Sequence, residues 1–396
     1  MEQRSPRRIR HWLLYGAYLV TIVTILSELS LRFLEPRSES LKILLYQSDN
    51  QPNKYHEKTV RDLMARTPVG YHPGRPSRGF FLNSRGLRTP EYETKKAPGT
   101  YRVVALGDSF TFTSAGVPWD HHYPVAFSRG LSEAWKRPVE LVNLAAPAVG
   151  PSFYLRMWQV EGIHLQADLV LMGIYVGNDF KSHGVKKRRK AEPVSAKLVR
   201  LSYLARWIRN IDRLRSAIAF QPAVGATSGR WGTPDPQWKE QYDPLEPTFT
   251  HEEFLRSGTF RALLCRIDET ERFEYLWERL QPTLESLHAS IRASGARLLV
   301  LIIPSQYQVD PTILSEIAES EGLGIDAYDL DRPQRTLAAF FNSAGIEFVD
   351  VLQASREHPS DPKKPLYKAG NSHWSIYGAD LATEHLLAYM RRHPSP

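Results

Sequence analysis

The sequence predicts an α/β protein with a central parallel sheet, preceded by one membrane-spanning helix at its N-terminus. From residue 101 onward, short apolar runs alternate with helical patterns, which is typical of a parallel sheet with right-handed crossovers. Near the N-terminus, an uncharged run follows a cluster of arginines, and this pattern predicts the membrane helix. The chain has 396 residues, of which 42% are apolar and 24% charged. That composition is typical of a globular protein with a sizeable core.

Residues 1–11 form a basic tail, and the run from Trp12 to Ser27 that follows contains no charged residue. Glu28 and Arg32 lie one helical turn apart, so their pairing extends the predicted helix over residues 12–34. No small-residue cleavage site follows the run. We therefore expect an uncleaved single-pass anchor, in preference to a removed signal peptide or a buried core helix. Arginines ahead of the run predict a cytoplasmic N-terminus, with the rest of the chain on the extracytoplasmic, periplasmic side.

Residues 35–100 are predicted to be an irregular connecting lobe, since their later part is crowded with Gly, Pro and Arg. The α/β domain then covers residues 101–396, with an insertion at about 181–259. Helices are predicted at 124–135 and 152–163, along an apolar stripe from Phe273 to Ile291, and at 376–390. Five apolar runs are predicted to be buried strands: 101–107, 138–144, 168–176, 296–304 and 346–352.

The insertion begins with the basic run KKRRK at 186–190, followed by a segment in which arginines interleave with apolar residues. Such a segment is either a solvated face or a surface that contacts anionic lipid. The net charge of +8 favours contact with anionic surfaces in general. Cys265 is the only cysteine, which excludes an internal disulfide and any cysteine-based metal cluster.

Residues 103–112 read VVALGDSFTF, so Gly, Asp and Ser109 directly follow the first predicted strand. One interpretation is a simple turn, because Asp and Ser bond to their own backbone and Gly tolerates positive φ. The other makes Ser109 a nucleophile at the carboxyl end of a strand, where ligands bind in open α/β sheets. The G-x-S-x-G elbow of α/β hydrolases is absent, since Thr111 stands where that motif has glycine.

Polar or small residues also follow the next two strands and precede the last helix. Ala148 and Gly150 follow the second strand, Asn178 follows the third, and His373 comes before the last helix. Each alone is commonly an ordinary turn or surface residue, but parallel strands bring their carboxyl ends to one crevice. There His373 would take the proton of the nucleophilic serine. The backbone N–H groups of Ser109 and of Ala148 or Gly150, with the Asn178 amide, would bind the oxyanion.

The chain resembles the SGNH/GDSL hydrolases from about residue 83 to the C-terminus. The resemblance rests on four motifs and implies a flavodoxin-like three-layer sandwich. It also implies that Ser109 is the nucleophile, Asn178 an oxyanion donor and His373 the base. The N-terminal anchor and the His-Trp pair further resemble the polysaccharide O-acetyltransferases of bacterial envelopes. The motifs are NSRGLR at 83–88, GDSF at 107–110, GND at 177–179 and LYKAGNSHWSIYG at 366–378.

Two positions depart from the family pattern. Ala148 stands at the glycine of the second motif, with Gly150 nearby, and Asn371 stands where an acidic residue usually precedes the histidine. An amide oxygen can orient an imidazole but cannot stabilise the imidazolium by charge. The enzyme would then use Ser109 and His373 as a dyad, run slowly, or be silent.

The function expected is that of a serine ester hydrolase that cleaves an acyl ester on a cell-envelope or glycan substrate. Two alternatives stay open at this stage. One is an O-acyltransferase that modifies an exported polysaccharide, and the other is a catalytically silent, membrane-tethered protein for glycan binding or assembly. No cofactor, no metal and no nucleic-acid partner is expected.

Overall fold

The computed structural model describes residues 6–34, 83, 87–112, 117–180, 202–204, 242–359 and 361–394. These residues belong to two compact units. Residues 6–34 and 202–204 lie in the first unit, and the other described residues lie in the second. Most of the connecting lobe predicted at 35–100 lies outside the described residues, as do the basic run at 186–190 and nearly all of the amphipathic segment after it.

Helix α1 (Pro6–Leu34) is the main element of the first unit. Its portion Leu14–Leu34 has a mean hydropathy of 1.6 and is long and apolar enough to cross a membrane. Glu28 and Arg32 form the i,i+4 ion pair predicted from their spacing, at 2.8 Å. The Glu28 carboxylate also accepts hydrogen bonds from the Ser202 hydroxyl and from the N–H groups of Tyr203 and Leu204, at 2.8–3.0 Å. The polar groups at this end of α1 are therefore hydrogen-bonded to a short piece of the insertion.

The second unit contains a five-stranded, all-parallel sheet in the order β2-β1-β3-β4-β5. This order is the flavodoxin-like one, and it reverses direction between β1 and β3. The predicted fold class is thus confirmed, and each strand begins and ends within two residues of its predicted bounds. The strands are β1 (Tyr101–Leu106), β2 (Val139–Asn143), β3 (Leu169–Tyr175), β4 (Arg297–Ile303) and β5 (Glu347–Asp350).

Helices connect the strands and flank the sheet. The long helix with the apolar stripe is continuous through Pro282. In chain order the helices are α2 (Ser109–Phe112), α3 (Tyr123–Trp135), α4 (Pro151–Val160), α5 (His251–Ala262), α6 (Thr270–Ala293), α7 (Gln306–Val309), α8 (Pro311–Ser320), α9 (Arg332–Ala344), α10 (Leu352–Glu357) and α11 (Ile376–Arg392).

Alternate strand residues face two separate cores, which makes the unit a three-layer sandwich. Val104, Val170 and Val300 belong to the core that α4, α6 and α9 cover. Their neighbours Val103 and Leu171 belong to the opposite core, under α3 and α11. Side chains alternate between the two faces of a strand, so strands covered on both faces must be apolar throughout. This explains why the strands read as continuous apolar runs.

Arg102 ties the chain before β1 to the edge of the sheet opposite the carboxyl ends. Its side chain is 1% exposed, and its Nε donates to Glu140 at 2.7 Å. The two terminal nitrogens donate to the carbonyl oxygens of Glu93, Thr94 and Leu165 at 2.7–2.9 Å. A buried guanidinium is tolerated only when its donors are paired, and here the pairing fixes residues 93–94 against the sheet.

Candidate active site

The residues proposed from sequence follow three neighbouring strands at the carboxyl edge of the sheet. Ser109 comes after β1, Ala148 and Gly150 come after β2, and Asn178 comes after β3. The reversal of strand order between β1 and β3 leaves a crevice between the loops that follow them. Ser109 and Asn178 stand at the two sides of that crevice, which is where an open α/β sheet binds its ligand.

The turn between β1 and Ser109 is shaped by Gly107 and Asp108. A Cβ on Gly107 would lie 1.9 Å from Thr111 Oγ1, so only glycine fits there. Asp108 is fully buried, and its Oδ1 accepts the Phe110 N–H at 2.9 Å. Its carbonyl oxygen accepts the Phe112 N–H at 2.9 Å, which closes the single turn of α2. The Gly-Asp pair therefore turns the chain sharply and places Ser109 first in a short helix, with its side chain half-buried.

His373 lies between Ser109 and Asn371. The distance from its Nε2 to Ser109 Oγ is 2.7 Å, and the distance from its Nδ1 to Asn371 Oδ1 is also 2.7 Å. Ser109 and His373 are 264 positions apart in the chain, so only the fold brings them together. The structure thus places the three residues proposed for catalysis in one hydrogen-bonded row.

The hydrogen bonds of Asn371 decide which imidazole nitrogen carries the proton. Asn371 Oδ1 also accepts the backbone N–H of His373 at 3.0 Å, and an N–H can donate only to the oxygen of an amide. The oxygen therefore faces His373, and the ring must donate from Nδ1. Nε2 is then left with a lone pair that can accept the Ser109 hydroxyl. This is the tautomer that a general base needs.

Burial and, to a smaller extent, the nearby positive charge of Arg261 together lower the pKa of His373 to about 4. Asn371 is neutral, so it supplies no charge to oppose these two effects. A carboxylate at this position would favour the imidazolium and raise the pKa. The imidazole is consequently neutral at pH 7, but its low pKa makes it a weak base. A general base works best with a pKa near the operating pH.

Asn178 is oriented by Asp108. Its Nδ2 donates to Asp108 Oδ2 at 2.9 Å, while its buried Oδ1 has no hydrogen-bond partner among the described residues. Burial raises the pKa of Asp108 to about 6, so the carboxyl is mainly ionised at pH 7 and acts only as an acceptor. That acceptor fixes the amide with its nitrogen toward Asp108. An amide nitrogen carries two hydrogens, and the second one is available to an oxyanion.

Ala148 adopts a left-handed backbone conformation, with φ of 58°. This conformation favours glycine, the residue that the motif resemblance leads one to expect at this position. Gly150 is buried and begins α4 with an extended backbone. Over the part of the chain that the structure describes, neither the Ala148 N–H nor the Gly150 N–H donates to a protein acceptor. Both therefore stay candidates for the second backbone donor.

The loop that carries His373 is held by the segment Tyr242–Phe249, which we call the strap. Lys368 Nζ donates to the carbonyl oxygens of Asp243 and Glu246 at 2.9 and 3.0 Å. Backbone hydrogen bonds join Ala369 and Gly370 to the strap at 2.9–3.2 Å. Gly370 has φ of 54°, and a Cβ there would lie 2.8 Å from the carbonyl oxygen of Phe249. The close approach of the strap thus explains this glycine.

Three residues that shape the site were not predicted from the sequence. Arg261, on α5, lowers the pKa of His373 and lies just past the insertion predicted at 181–259. Asp108 orients Asn178, and Phe110 packs against the imidazole with ring centroids 4.9 Å apart. Asp108 and Phe110 belong to the GDSF motif and could have been found there. No local signal marks Arg261, because its effect depends on where α5 packs.

Comparisons with known proteins give structural likenesses only. No family model matches the chain, and no curated protein sequence matches it. Among solved structures, a lipase from a goat rumen metagenome shares 15% identity, covers 73% of this chain and 96% of its own, and has a TM-score of 0.38. A lipase/acylhydrolase from Enterococcus faecalis shares 12% identity over 75% of this chain and 98% of its own, with a TM-score of 0.36.

An acetylxylan esterase from Geobacillus stearothermophilus, crystallised as a catalytic mutant, is a third similar structure. It shares 13% identity over 75% of this chain and 95% of its own, with a TM-score of 0.37. Likenesses at this identity and TM-score carry no argument about what this chain does.

Proposed function

We propose that this protein is a serine ester hydrolase of the SGNH/GDSL type that cleaves an acyl ester by Ser-His nucleophilic catalysis. The observation that carries the proposal is the row from Ser109 through His373 to Asn371, with two distances of 2.7 Å. A serine that only formed a turn would not need to lie within hydrogen-bond distance of a histidine whose tautomer is fixed by a second group. The arrangement has the parts of an activated nucleophile: a hydroxyl, a base and a group that orients the base.

In the first step, Ser109 Oγ attacks the acyl carbonyl carbon while Nε2 of His373 takes the hydroxyl proton. The ring then carries a proton on each nitrogen, with Nδ1–H still bonded to Asn371. The imidazolium returns its proton to the leaving oxygen as the ester bond breaks, which leaves an acyl group on Ser109. Water then attacks the acyl carbonyl carbon while Nε2 of His373 takes one of its protons. The imidazolium gives that proton to Ser109 Oγ as the acid is released.

The negative charge that develops on the carbonyl oxygen is bound by fixed donors in this proposal. They are the Ser109 N–H, the N–H of Ala148 or Gly150, and the Asn178 amide that Asp108 orients. Donors held in place before reaction cost no reorganisation, and losing one typically lowers the rate by about 10²- to 10³-fold. The position of all these groups after β1, β2 and β3 supports this assignment.

We further propose that α1 anchors the protein with its N-terminus in the cytoplasm. The site would then lie on the extracytoplasmic side, where the ester substrate is a component of the cell envelope or a glycan. The support is the length and apolar character of Leu14–Leu34 and the arginines that precede it in the sequence. Protease added outside intact spheroplasts should digest the domain that follows α1. Digestion only after lysis would reverse the topology.

A fluorescent phosphonate that reacts with activated serines tests the catalytic proposal. The full-length chain in detergent should become labelled, and Ser109→Ala should remove both labelling and ester turnover. Ser128→Ala is the matched control, because Ser128 is a buried serine on α3 whose hydroxyl donates to the carbonyl oxygen of Pro124 in the same helix. Equal labelling of the wild type and of Ser109→Ala would show that Ser109 is a turn residue and not the nucleophile.

The same residues would also serve acyl transfer if a sugar hydroxyl replaced water in the second step. Product analysis distinguishes the two reactions. The hydrolase proposal predicts that free acid stays the main product when a polysaccharide acceptor is added in excess. A fall in free acid matched by acylated polysaccharide would identify a transferase instead.

A further inference from the structure

The helix that carries Ser109, α2, is a single turn of four residues. Starting a helix is unfavourable because the first turn orders several residues for one hydrogen bond, so a helix of this length is not stable by itself. Its last carbonyl oxygens, those of Thr111 and Phe112, also lie beyond the reach of partners within the helix. The contacts that hold this turn in place must therefore come from other parts of the fold.

Two side chains from other segments hold these carbonyl oxygens. Asn143, the last residue of β2, donates from Nδ2 to the Thr111 oxygen at 3.0 Å. Its Oδ1 accepts the Ala145 N–H at 3.0 Å, which fixes the amide with its nitrogen toward α2. Arg88 donates from Nη1 to the Phe112 oxygen at 3.2 Å, and its guanidinium lies over the Phe112 ring, 5.6 Å from the centroid. The end of α2 is thus tied both to β2 and to the chain before β1.

Arg88 belongs to the NSRGLR motif at 83–88, which takes no part in the catalytic steps proposed above. Arg88 is 6% exposed, and the residues on both sides of it are fixed. Asn83 Oδ1 accepts the Leu87 N–H at 3.0 Å, and Thr89 Oγ1 donates to a carbonyl oxygen of β2 at 3.2 Å. A hydrogen bond from a charged donor is roughly twice as strong as one between neutral groups. Arg88 is therefore a strong contact to α2 from a segment that is itself held in place.

We propose that Arg88 is a positioning residue: by holding the Phe112 carbonyl oxygen, it fixes α2 and with it the place of Ser109 Oγ. This role rests on the proposed ester hydrolase function, and it extends the site to a residue that precedes the α/β domain predicted from sequence. Ser109 Oγ lies 2.7 Å from Nε2 of His373, and displacing a reacting group by 1 Å can cost about 10²-fold in rate. Loss of the Arg88 hydrogen bond should therefore slow the attack by Ser109 in every folded molecule.

The rate constant of phosphonate labelling of the full-length chain in detergent separates this role from a purely structural one. A variant that is merely partly unfolded labels a smaller fraction of its molecules, with an unchanged rate constant for that fraction. Arg88→Met keeps an apolar stem and removes the donor, so its folded molecules should label at least about tenfold more slowly than the wild type. The kcat/KM for p-nitrophenyl acetate should fall by the same factor, since both reactions begin with attack by Ser109. A smaller labelled fraction with the wild-type rate constant would overturn the positioning role.

Arg102→Met is the matched control, because Arg102 is also a buried arginine that donates to backbone carbonyl oxygens, at the opposite edge of the sheet. Its folded molecules should label at the wild-type rate constant, and a slowing equal to that of Arg88→Met would overturn the proposal. Arg88→Gln serves where the methionine variant yields too little folded protein, since its amide is polar but too short to reach the Phe112 oxygen. It should label as slowly, and a wild-type rate constant in either Arg88 variant would overturn the positioning role alone. Labelling that survives in Ser109→Ala would overturn the hydrolase function as well.

Discussion

Asn371 holds His373 at two points through a single oxygen. Its Oδ1 accepts the ring Nδ1–H at 2.7 Å and the backbone N–H at 3.0 Å. The ring orientation and the tautomer are therefore set without a carboxylate. What the amide cannot supply is a negative charge opposite the imidazolium that would form in the proposed attack. The site has the geometry of a catalytic triad with the electrostatics of a dyad.

The first prediction concerns the pH profile of the wild-type protein. Because burial lowers the pKa of His373 to about 4, the base is neutral and competent at every pH well above that value. The kcat/KM for ester hydrolysis should stay level between about pH 5.5 and 7.5 and fall only as the pH approaches 4. A stopped assay of ester turnover across this range measures the profile. A fall that begins near pH 6.5 in the wild type and in Asp108→Asn alike would mean that His373 keeps its ordinary pKa. A fall near pH 6 that is absent from Asp108→Asn would instead report the Asp108 carboxyl, whose pKa burial raises to about 6.

Substituting Asn371→Asp should raise the pKa of His373 and raise kcat/KM. The carboxylate would stabilise the imidazolium in the transition state, so we expect an increase of roughly tenfold or more at pH 7.5. The acidic limb of the profile should move upward at the same time. Asn371→Ala is the counterpart, since it removes the orienting oxygen and should lower kcat/KM. An aspartate variant no faster than the wild type, with an unmoved limb, would show that Asn371 does not control the ring.

Arg261 should influence catalysis through its charge. Its positive charge disfavours the imidazolium, so Arg261→Met should raise the pKa of His373 and shift the acidic limb to higher pH. Arg261→Lys keeps the charge and should restore the wild-type profile. Arg256→Met removes an exposed charge from the same helix and serves as the control. If all three variants gave one profile, the charge at residue 261 would have no effect on the base.

Lys368 should act as a positioning residue for the loop that carries His373. Its ammonium joins the loop to the strap through the carbonyl oxygens of Asp243 and Glu246. Without these bonds the His373 loop is freer to move, so Lys368→Met should lower kcat at least about threefold. Displacing a catalytic group by 1 Å can lower the rate far more. Lys364→Met, an exposed lysine shortly before the loop, should have no effect. If kcat fell only in proportion to the loss of folded protein, as followed by the thermal midpoint, the role of Lys368 would be structural.

Arg102 should matter for stability and not for chemistry. Arg102→Met would leave the carbonyl oxygens of Glu93, Thr94 and Leu165 without their donor. We expect a loss of about 2–4 kcal/mol in the free energy of unfolding. Arg129→Met, which removes an exposed arginine, should change it by less than about 0.5 kcal/mol. Urea unfolding of the full-length chain in detergent compares them, and equal losses would contradict the role assigned to Arg102.

Much of this molecule is determined by local sequence. Strands covered on both faces must be continuously apolar, so β1, β3 and β4 are visible as runs, and the Phe273–Ile291 stripe marks one face of α6. The rule that parallel strands end at one edge also predicts that Ser109, Ala148 and Asn178 lie near one another. The ion pair of Glu28 with Arg32 follows from helical spacing alone.

The tertiary structure alone decided how the base is set. Asn371 is two residues from His373, yet nothing in that spacing tells whether its oxygen or its nitrogen faces the ring. The hydrogen bond that the backbone N–H of His373 donates to Asn371 Oδ1 determines this. Arg261 affects His373 only because α5 packs near the site, and the small cavity beside Ser109 exists only where α2, α3 and α11 converge. Electrostatic effects and cavity volumes depend on distances between segments remote in the chain, and such distances have no periodicity that a sequence could display.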